Sequence, residues 1–409
     1  MRGFFVVAAI LSFPLASSAN PMDITLSRLS YQVEVNAANN INLDTNNNGL
    51  PDAEEPSTLG TPCGGAPGQR GEGFRCAPHQ WAFRNLVAQL GTAFAPKLLA
   101  PAETLGYNGF YIGLEGTLVP IHSDSNYWRL GTEGSRADDQ AGIPPQDRDP
   151  NSFLFMPTFH VRKGLPFGAE VGTSMSYLTS TELIALGLDV KVSPFEGFFE
   201  GVGYLPALAV RGAVNRLTGD DELNLTNVSL DVSISKAIGA WGQVEITPYA
   251  GWQHMWVIAD TEVVDFTPHR DAWSELQPVW NPYARCLSPD GTAEAEGIDL
   301  SGLDLATPEG QRAAENACTD ARPGGVPGHW EPDWEQSGTG DPDDYNNNGV
   351  FDRETLQRER AFGGIRVIWE HLSVTGEFAL DLTPSKGEGG AEVDVRKQWG
   401  VSLGIGLDW

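Results

Sequence analysis

Val395–Trp409, V-R-K-Q-W-G-V-S-L-G-I-G-L-D-W, is the stretch whose reading decides the fold class. Trp399, Val401, Leu403, Ile405, Leu407 and Trp409 are apolar, while Gly400, Ser402, Gly404, Gly406 and Asp408 between them are small or polar. A period of two is the signature of a strand with one apolar and one polar face. Tryptophan stands at both ends of the apolar row, and its amphipathic ring belongs where hydrocarbon meets water. The row is therefore expected to face lipid, with the small residues facing inward.

The same alternation recurs upstream. Phe110, Ile112 and Leu114 oppose Glu115 and Thr117; Phe153, Phe155 and Phe159 oppose Met156, Thr158, His160 and Arg162; Val171 and Met175 oppose Glu170 and Ser174. It continues through 186–192, 205–217, 225–236, 243–258, 361–370 and 372–382, so that counting from Tyr107 gives ten strands. Residues 24–36 and part of 83–99 would raise the number to twelve. The long connections, 120–150, 260–357 and 383–394, fall on one side and most short turns on the other. A soluble β-sandwich shares the alternation but not the tryptophan-ended terminus or the asymmetric connections.

The chain thus resembles bacterial outer-membrane β-barrels, whose closing strand ends in an aromatic residue, usually Phe where this chain has Trp409. The resemblance covers 107–409 as architecture and singles out no subfamily. It implies an all-β fold, an antiparallel transmembrane β-barrel of 10–12 strands with long extracellular loops and both ends of the barrel in the periplasm. It also implies outer-membrane lipid and the barrel-insertion machinery as partners. One short N-terminal helix is expected from the helical spacing of Phe83, Leu86, Val87, Leu90 and Phe94, ended by Pro96, either plugging the lumen or lying outside it.

No apolar run reaches the roughly 20 residues of a membrane-spanning helix. Arg2, the apolar stretch Phe4–Leu15 and the small residues Ser17–Ala19 read as a signal peptide, residues 1–19, cleaved near Ala19. That address, with the strands, places the chain in the outer membrane of a Gram-negative bacterium. Residues 20–106 then form an N-terminal segment ahead of the barrel. Cys63, Cys76, Cys286 and Cys318 make an even set in an exported chain, read as two disulfides with the sequence-local pairing preferred of three. A net charge of −28 argues against nucleic acid and suits a solvated, cation-binding exterior.

Asp44-Thr45-Asn46-Asn47-Asn48-Gly49-Leu50-Pro51-Asp52-Ala53-Glu54-Glu55 fits the spacing of a calcium loop, in which oxygens at alternate positions converge on one ion. It is similar to the Asp/Asn-rich loops of thrombospondin type 3 repeats, and a second copy runs from Asp344 to Glu354. By that resemblance Asp44, Asn46, Asn48, the Leu50 carbonyl, Asp52 and Glu55 bind one calcium ion. Asp344, Asn346, Asn348, the Val350 carbonyl, Asp352 and Glu354 would bind another, with Thr355 standing where the bidentate carboxylate belongs.

Glu115, His160, Arg162, Glu170, Asp189, Lys191, Arg211, Asp231, Glu245, Glu377 and Asp381 fall on the expected inner face, either cross-linked into a filling or lining a narrow path. No H-E-x-x-H, G-x-S-x-G or Walker pattern is present. His122 with Asp124, or His269 with Asp265 and Asp271, could imitate the acid–His groups of the omptin proteases, but no enzyme is expected. The leading functional expectation is a passive channel for a small solute or ion. A non-transporting surface barrel for adhesion or envelope structure is the alternative, favoured if a helix closes the lumen, and an omptin-like hydrolase comes third.

Overall fold

The computed structural model describes residues 20–35, 41–42, 74–97, 99–135, 147–194, 205–240, 243–267, 278–281, 329–332, 348–382 and 397–409, with isolated positions between them. Ten antiparallel strands close into a ring. They are β1 Phe110–Pro120, β2 Phe153–Leu165, β3 Ala169–Tyr177, β4 Ile184–Val192, β5 Ala207–Thr218, β6 Leu223–Ser235, β7 Val244–Thr261, β8 Glu354–Trp369, β9 Leu372–Asp381 and β10 Trp399–Asp408. β10 pairs with β1 from Val401 opposite Leu118 to Asp408 opposite Tyr111, which completes the barrel without a free edge.

Residues 30–35 and 83–99 supply no further barrel strand, so the count is ten and not twelve. Ser30–Val35 pairs instead with Ile41–Asn42 and Phe74–Pro78 in a separate three-stranded sheet. β8 begins at Glu354, seven residues before the expected start, and the loop it closes is correspondingly 262–353. The alternation was hidden there because Thr355, Gln357 and Glu359, on the outward side, are polar.

Along the strands the outward row is apolar and exposed. Leu114, Leu188, Ile365, Leu403 and Ile405 each keep more than half of their surface accessible. The six outward residues from Trp399 to Trp409 cover about 25 Å of height at about 3.3 Å per residue and a 40° tilt, the height of a barrel's apolar band. The inward row is buried: charged and polar over much of its length, and apolar toward the loop rim, where Leu154, Met156, Leu217, Met255 and Val257 pack in one cluster with residues of 82–94. Such a surface suits a hydrocarbon surround and defines a transmembrane β-barrel.

Two rims differ. At the turn rim Phe110 N–H donates to the Trp409 carbonyl at 2.7 Å, and the links 166–168 and 370–371 are short. At the loop rim lie the strand ends that bound the connections 121–152, 262–353 and 382–398. Residues 20–35 lie at this loop rim, where Met22 N–H donates to the Ser180 carbonyl and Glu133 N–H to the Asp23 carbonyl. Only the two ends of the barrel itself, Phe110 and Trp409, share the turn rim. The two ends of the barrel thus share one side as expected, while residues 20–35, ahead of β1, sit at the other rim.

Helix α1, Gln80–Ala93, forms where the sequence places it, started by the His79 ring accepting from Ala82 N–H and stopped before Pro96. All its residues except Trp81 are buried, polar ones included. It sits in the loop-rim mouth of the barrel and plugs it. At Gly91 an added Cβ would lie 2.4 Å from Val257 on the β7 wall, so only glycine lets the helix approach this closely.

Candidate functional site, a lumen occupied by its own chain

After α1 the chain runs down the barrel axis through residues 94–109 to the turn rim, where β1 begins. This strap holds Pro96 and Pro101 and forms no regular structure among its described residues, so its backbone groups, like the last carbonyls of α1, need partners from elsewhere. The wall supplies them level by level. Arg358 donates to the carbonyl of Ala88 at 2.8 Å and to the hydroxyl of Thr92, Asn227 to the carbonyl of Gly91 at 2.9 Å, and Asn215 to that of Phe94 at 3.0 Å.

Lower down, Gln253 and Arg211 donate to the Pro96 carbonyl at 2.8 and 3.1 Å, and Arg211 also to that of Lys97 at 2.8 Å. Leu99 N–H donates to Glu377 at 3.2 Å, Ala102 N–H to Ser235 at 3.1 Å and Leu105 N–H to Glu170 at 3.1 Å. Lys191 caps the carbonyls of Pro101 and Glu103 at 3.2 and 2.9 Å.

The same side chains pair with one another. Arg211 meets Asp231 at 2.6 Å, Arg358 meets Asp381 at 2.7 Å, and Glu170 is shared by Lys191 at 3.2 Å and Arg162 at 3.5 Å. His160 lies between Glu115 at 3.1 Å and Asp189 at 3.4 Å, while Arg162 covers the ring of Tyr111 at 3.9 Å. Burying a charge costs heavily unless it is paired, which is why each of these sits in a pair or on a carbonyl. Beside Lys97, Glu115, His160 and Asn215 a cavity of about 20 Å³ remains, room for about one water.

Of the expected inner-face set, ten residues come together in this filling. Glu245 is set apart near the turn rim, where it accepts from Thr247 at 3.3 Å. Arg358 and Arg360 were missed because the expected strand began too late, at 361; Arg366 lies within the expected strand and was left out of the inner-face set. The small residues that seemed only to mark a polar face have a specific use: a Cβ on Gly404 would stand 2.7 Å from Leu99 of the strap, and one on Gly406 would stand 2.2 Å from the Tyr111 ring.

At the loop rim, Asp23, Glu133, Glu182, Asp220, Asp221 and Glu222 surround an open cavity of about 370 Å³. Burial pushes the Glu222 carboxyl up to about 7, and Asp220, Asp265 and Asp221 add to the rise. Asp220 is raised too, by burial first and against the pull of the Leu223 and Glu222 N–H groups.

Cys63 and Cys76 form a disulfide, with Cα atoms 5.7 Å apart; Cys286 and Cys318 lie outside the described residues, as does the expected signal peptide. Of the expected calcium ligands, Asp44, Asn46, Asn48, Leu50, Asp344 and Asn346 also lie outside them. Asp52 and Glu55 are buried, with Glu55 N–H donating to the Asp52 carbonyl at 3.1 Å. Asn348, Val350 and Asp352 are exposed. Glu354 has turned inward, where its carboxylate accepts from Arg84 at 2.9 Å and from Gln80 at 2.6 Å. His122 stands 3.1 Å from Gln89, and His269 is outside the described residues.

No protein-family model and no curated protein sequence matches the chain. Among solved structures it is similar to outer-membrane barrels. Ail of Yersinia pestis is 8% identical, over 74% of this chain and 99% of Ail, with a TM-score of 0.22. The outer-membrane protein Omp33 of Acinetobacter baumannii is 6% identical, over 75% and 99%, with a TM-score of 0.22. The translocator domain of the autotransporter NalP from Neisseria meningitidis is 7% identical, over 75% and 89%, with a TM-score of 0.28.

Proposed function

We propose that the chain is a barrel of the Gram-negative outer membrane that presents polypeptide on the cell exterior while keeping its own lumen shut. On this reading the loop rim faces outward, because outer-membrane barrels carry long connections outside and short turns in the periplasm. The observation that carries it is the continuous series of wall side chains bonded to backbone from Ala88 to Leu105. A channel at rest needs a water path, and the strap stands in its place. This favours the surface barrel over the passive channel.

Planar-bilayer recording of the intact, inserted protein tests the reading, with silence expected. Discrete current steps from the intact protein would overturn it. Replacing residues 80–105, the helix in the mouth together with the strap, by a Gly/Ser linker is expected to produce steps, because the wall around the strap is lined mostly by charged and polar side chains.

The passive channel remains a second reading, supported by that polar wall and by a strap held through side chains and not through regular structure. Calcium ordering of the acidic loops also stays a proposal, resting on the two Asp/Asn-rich repeats. Calorimetric titration of the folded protein with calcium tests it, and absence of binding heat would sink it. We assign no hydrolytic role; cleavage of a peptide library by the inserted protein would reverse that.

A further inference from the structure

We infer that the barrel is the export route of its own leading segment: the chain ahead of the strap crosses the membrane through the lumen, and residues 94–109 stay behind as the seal. The inference rests on the orientation given above and adds a transport step to it. Three observations carry it.

First, the segment and the strand that follows it begin at opposite rims. Residues 20–35 are fixed to the loop rim, where Arg28 pairs with Glu133 at 3.1 Å and Glu182 N–H donates to Asp23 at 2.8 Å. β1 starts at the turn rim, where Phe110 bonds to Trp409. The polypeptide between them spans the full height of the barrel.

Second, the ring of ten strands is closed, so no lateral opening connects the rims in the finished protein. Asp23, Arg28, Arg75 and Arg84 are in the leading segment, and hydrocarbon opposes the passage of such groups. The lumen offers them a polar wall of both charge signs.

Third, the strap is bonded to the wall at every level from Asn215 to Glu170, so it cannot seat until everything ahead of it has gone past. A ten-stranded lumen is only slightly wider than the eight-stranded ones that side chains fill. It admits an extended chain or a single helix but not a folded domain. The sheet of Ser30–Val35, Ile41–Asn42 and Phe74–Pro78 therefore assembles after passage.

The test fuses an epitope followed by a small immunoglobulin-type domain at residue 20, behind the expected cleavage point, in a full-length chain that also carries a second tag in the 262–353 loop. The domain is used in two forms: with its disulfide, so that it folds before export, and with both its cysteines replaced by Ala, so that it stays unfolded. Antibody labelling of intact cells is expected to detect both tags on the unfolded form. On the folded form it is expected to detect the loop tag while labelling of the epitope is lost. Equal labelling of the epitope on both forms would overturn the inference. A loop tag hidden even without the fusion would instead overturn the orientation.

A second measurement covers a folded fusion that fails to insert. Cysteines replacing Ala102 and Ser235, whose N–H and hydroxyl are 3.1 Å apart, report strap seating by cross-linking. In a pulse-chase of the otherwise unfused chain, the epitope at residue 20 is expected to reach the surface before or with this cross-link. Cross-linked molecules whose epitope is still protected would overturn the inference.

Discussion

Arg211 and Asp231 stand directly opposite each other on β5 and β6, and their side chains meet at 2.6 Å inside the lumen. The guanidinium has donors left over, which it spends on the carbonyls of Pro96 and Lys97. Pairing within the wall and grip on the strap thus meet in one side chain. Arg211→Ala leaves Asp231 buried without its partner, at a cost of about 3–5 kcal/mol. The double variant Arg211→Ala/Asp231→Ala removes the orphaned charge and is expected to regain much of that stability in urea unfolding. Its strap still lacks the same two contacts, whereas Gln253 keeps its hold on the Pro96 carbonyl, so both variants should stay silent in planar bilayers. A double variant as unstable as the single one would mean that the pair contributes nothing beyond the strap contacts.

Helix α1 meets the wall at Gly91, against Val257. Gly91→Ala puts a methyl group where the Val257 methyls already are, and overpacking of this kind costs about 1–3 kcal/mol. Shortening the neighbour should relieve it: Gly91→Ala/Val257→Ala is expected to unfold at a higher temperature than Gly91→Ala alone. If Val257→Ala gives no relief, the helix is not seated against β7.

Strand number and sidedness were legible because lipid imposes an unbroken apolar row wherever a strand crosses it, as from Trp399 to Trp409. The constraint ends where the strand leaves the bilayer. The first outward residues of β8, Thr355, Gln357 and Glu359, are polar, so the row shows no apolar period there, and Arg358 and Arg360 were lost with it. The helix was legible from Phe83 to Phe94 by its spacing, but not its position, since Gln80, Arg84 and Gln89, which read as a solvated face, find buried partners in Glu354, Tyr127 and Trp128. The strap had no local signal at all. Its conformation follows from partners such as Lys191 and Glu377, far away in sequence, and only the closed ring brings them to it.

The acidic cavity at the loop rim should make stability fall as pH rises. Glu222 titrates near 7 in the folded protein against about 4.5 for an ordinary glutamate. Between those values the folded state binds more protons than the unfolded one, so unfolding free energy decreases with increasing pH. The contribution is complete below about pH 4.5 and is lost as pH passes 7. The thermal midpoint of the inserted protein is expected to be higher at pH 5 than at pH 8, and Glu222→Gln should reduce that difference. An unchanged pH slope in the variant would assign the effect to other groups on the rim.

The apolar row of β10 makes a depth-dependent prediction. Leu403 lies midway between Trp399 and Trp409 and is 58% exposed, whereas Leu407 lies beside the turn-rim end. A charge on the lipid face costs about 2–4 kcal/mol at the bilayer midplane and about 0–1 near an interface. Leu403→Arg should therefore destabilise the barrel by the larger amount and Leu407→Arg by the smaller, in reversible unfolding from lipid bilayers. Ser402, one residue before Leu403, points inward and bonds to Thr117 at 2.9 Å. Ser402→Ala removes one buried hydrogen bond, costing about 1 kcal/mol, and that cost should not change with bilayer thickness. Equal penalties for arginine at 403 and 407 would mean that the row does not cross a hydrocarbon layer, and the transmembrane assignment would fall with it.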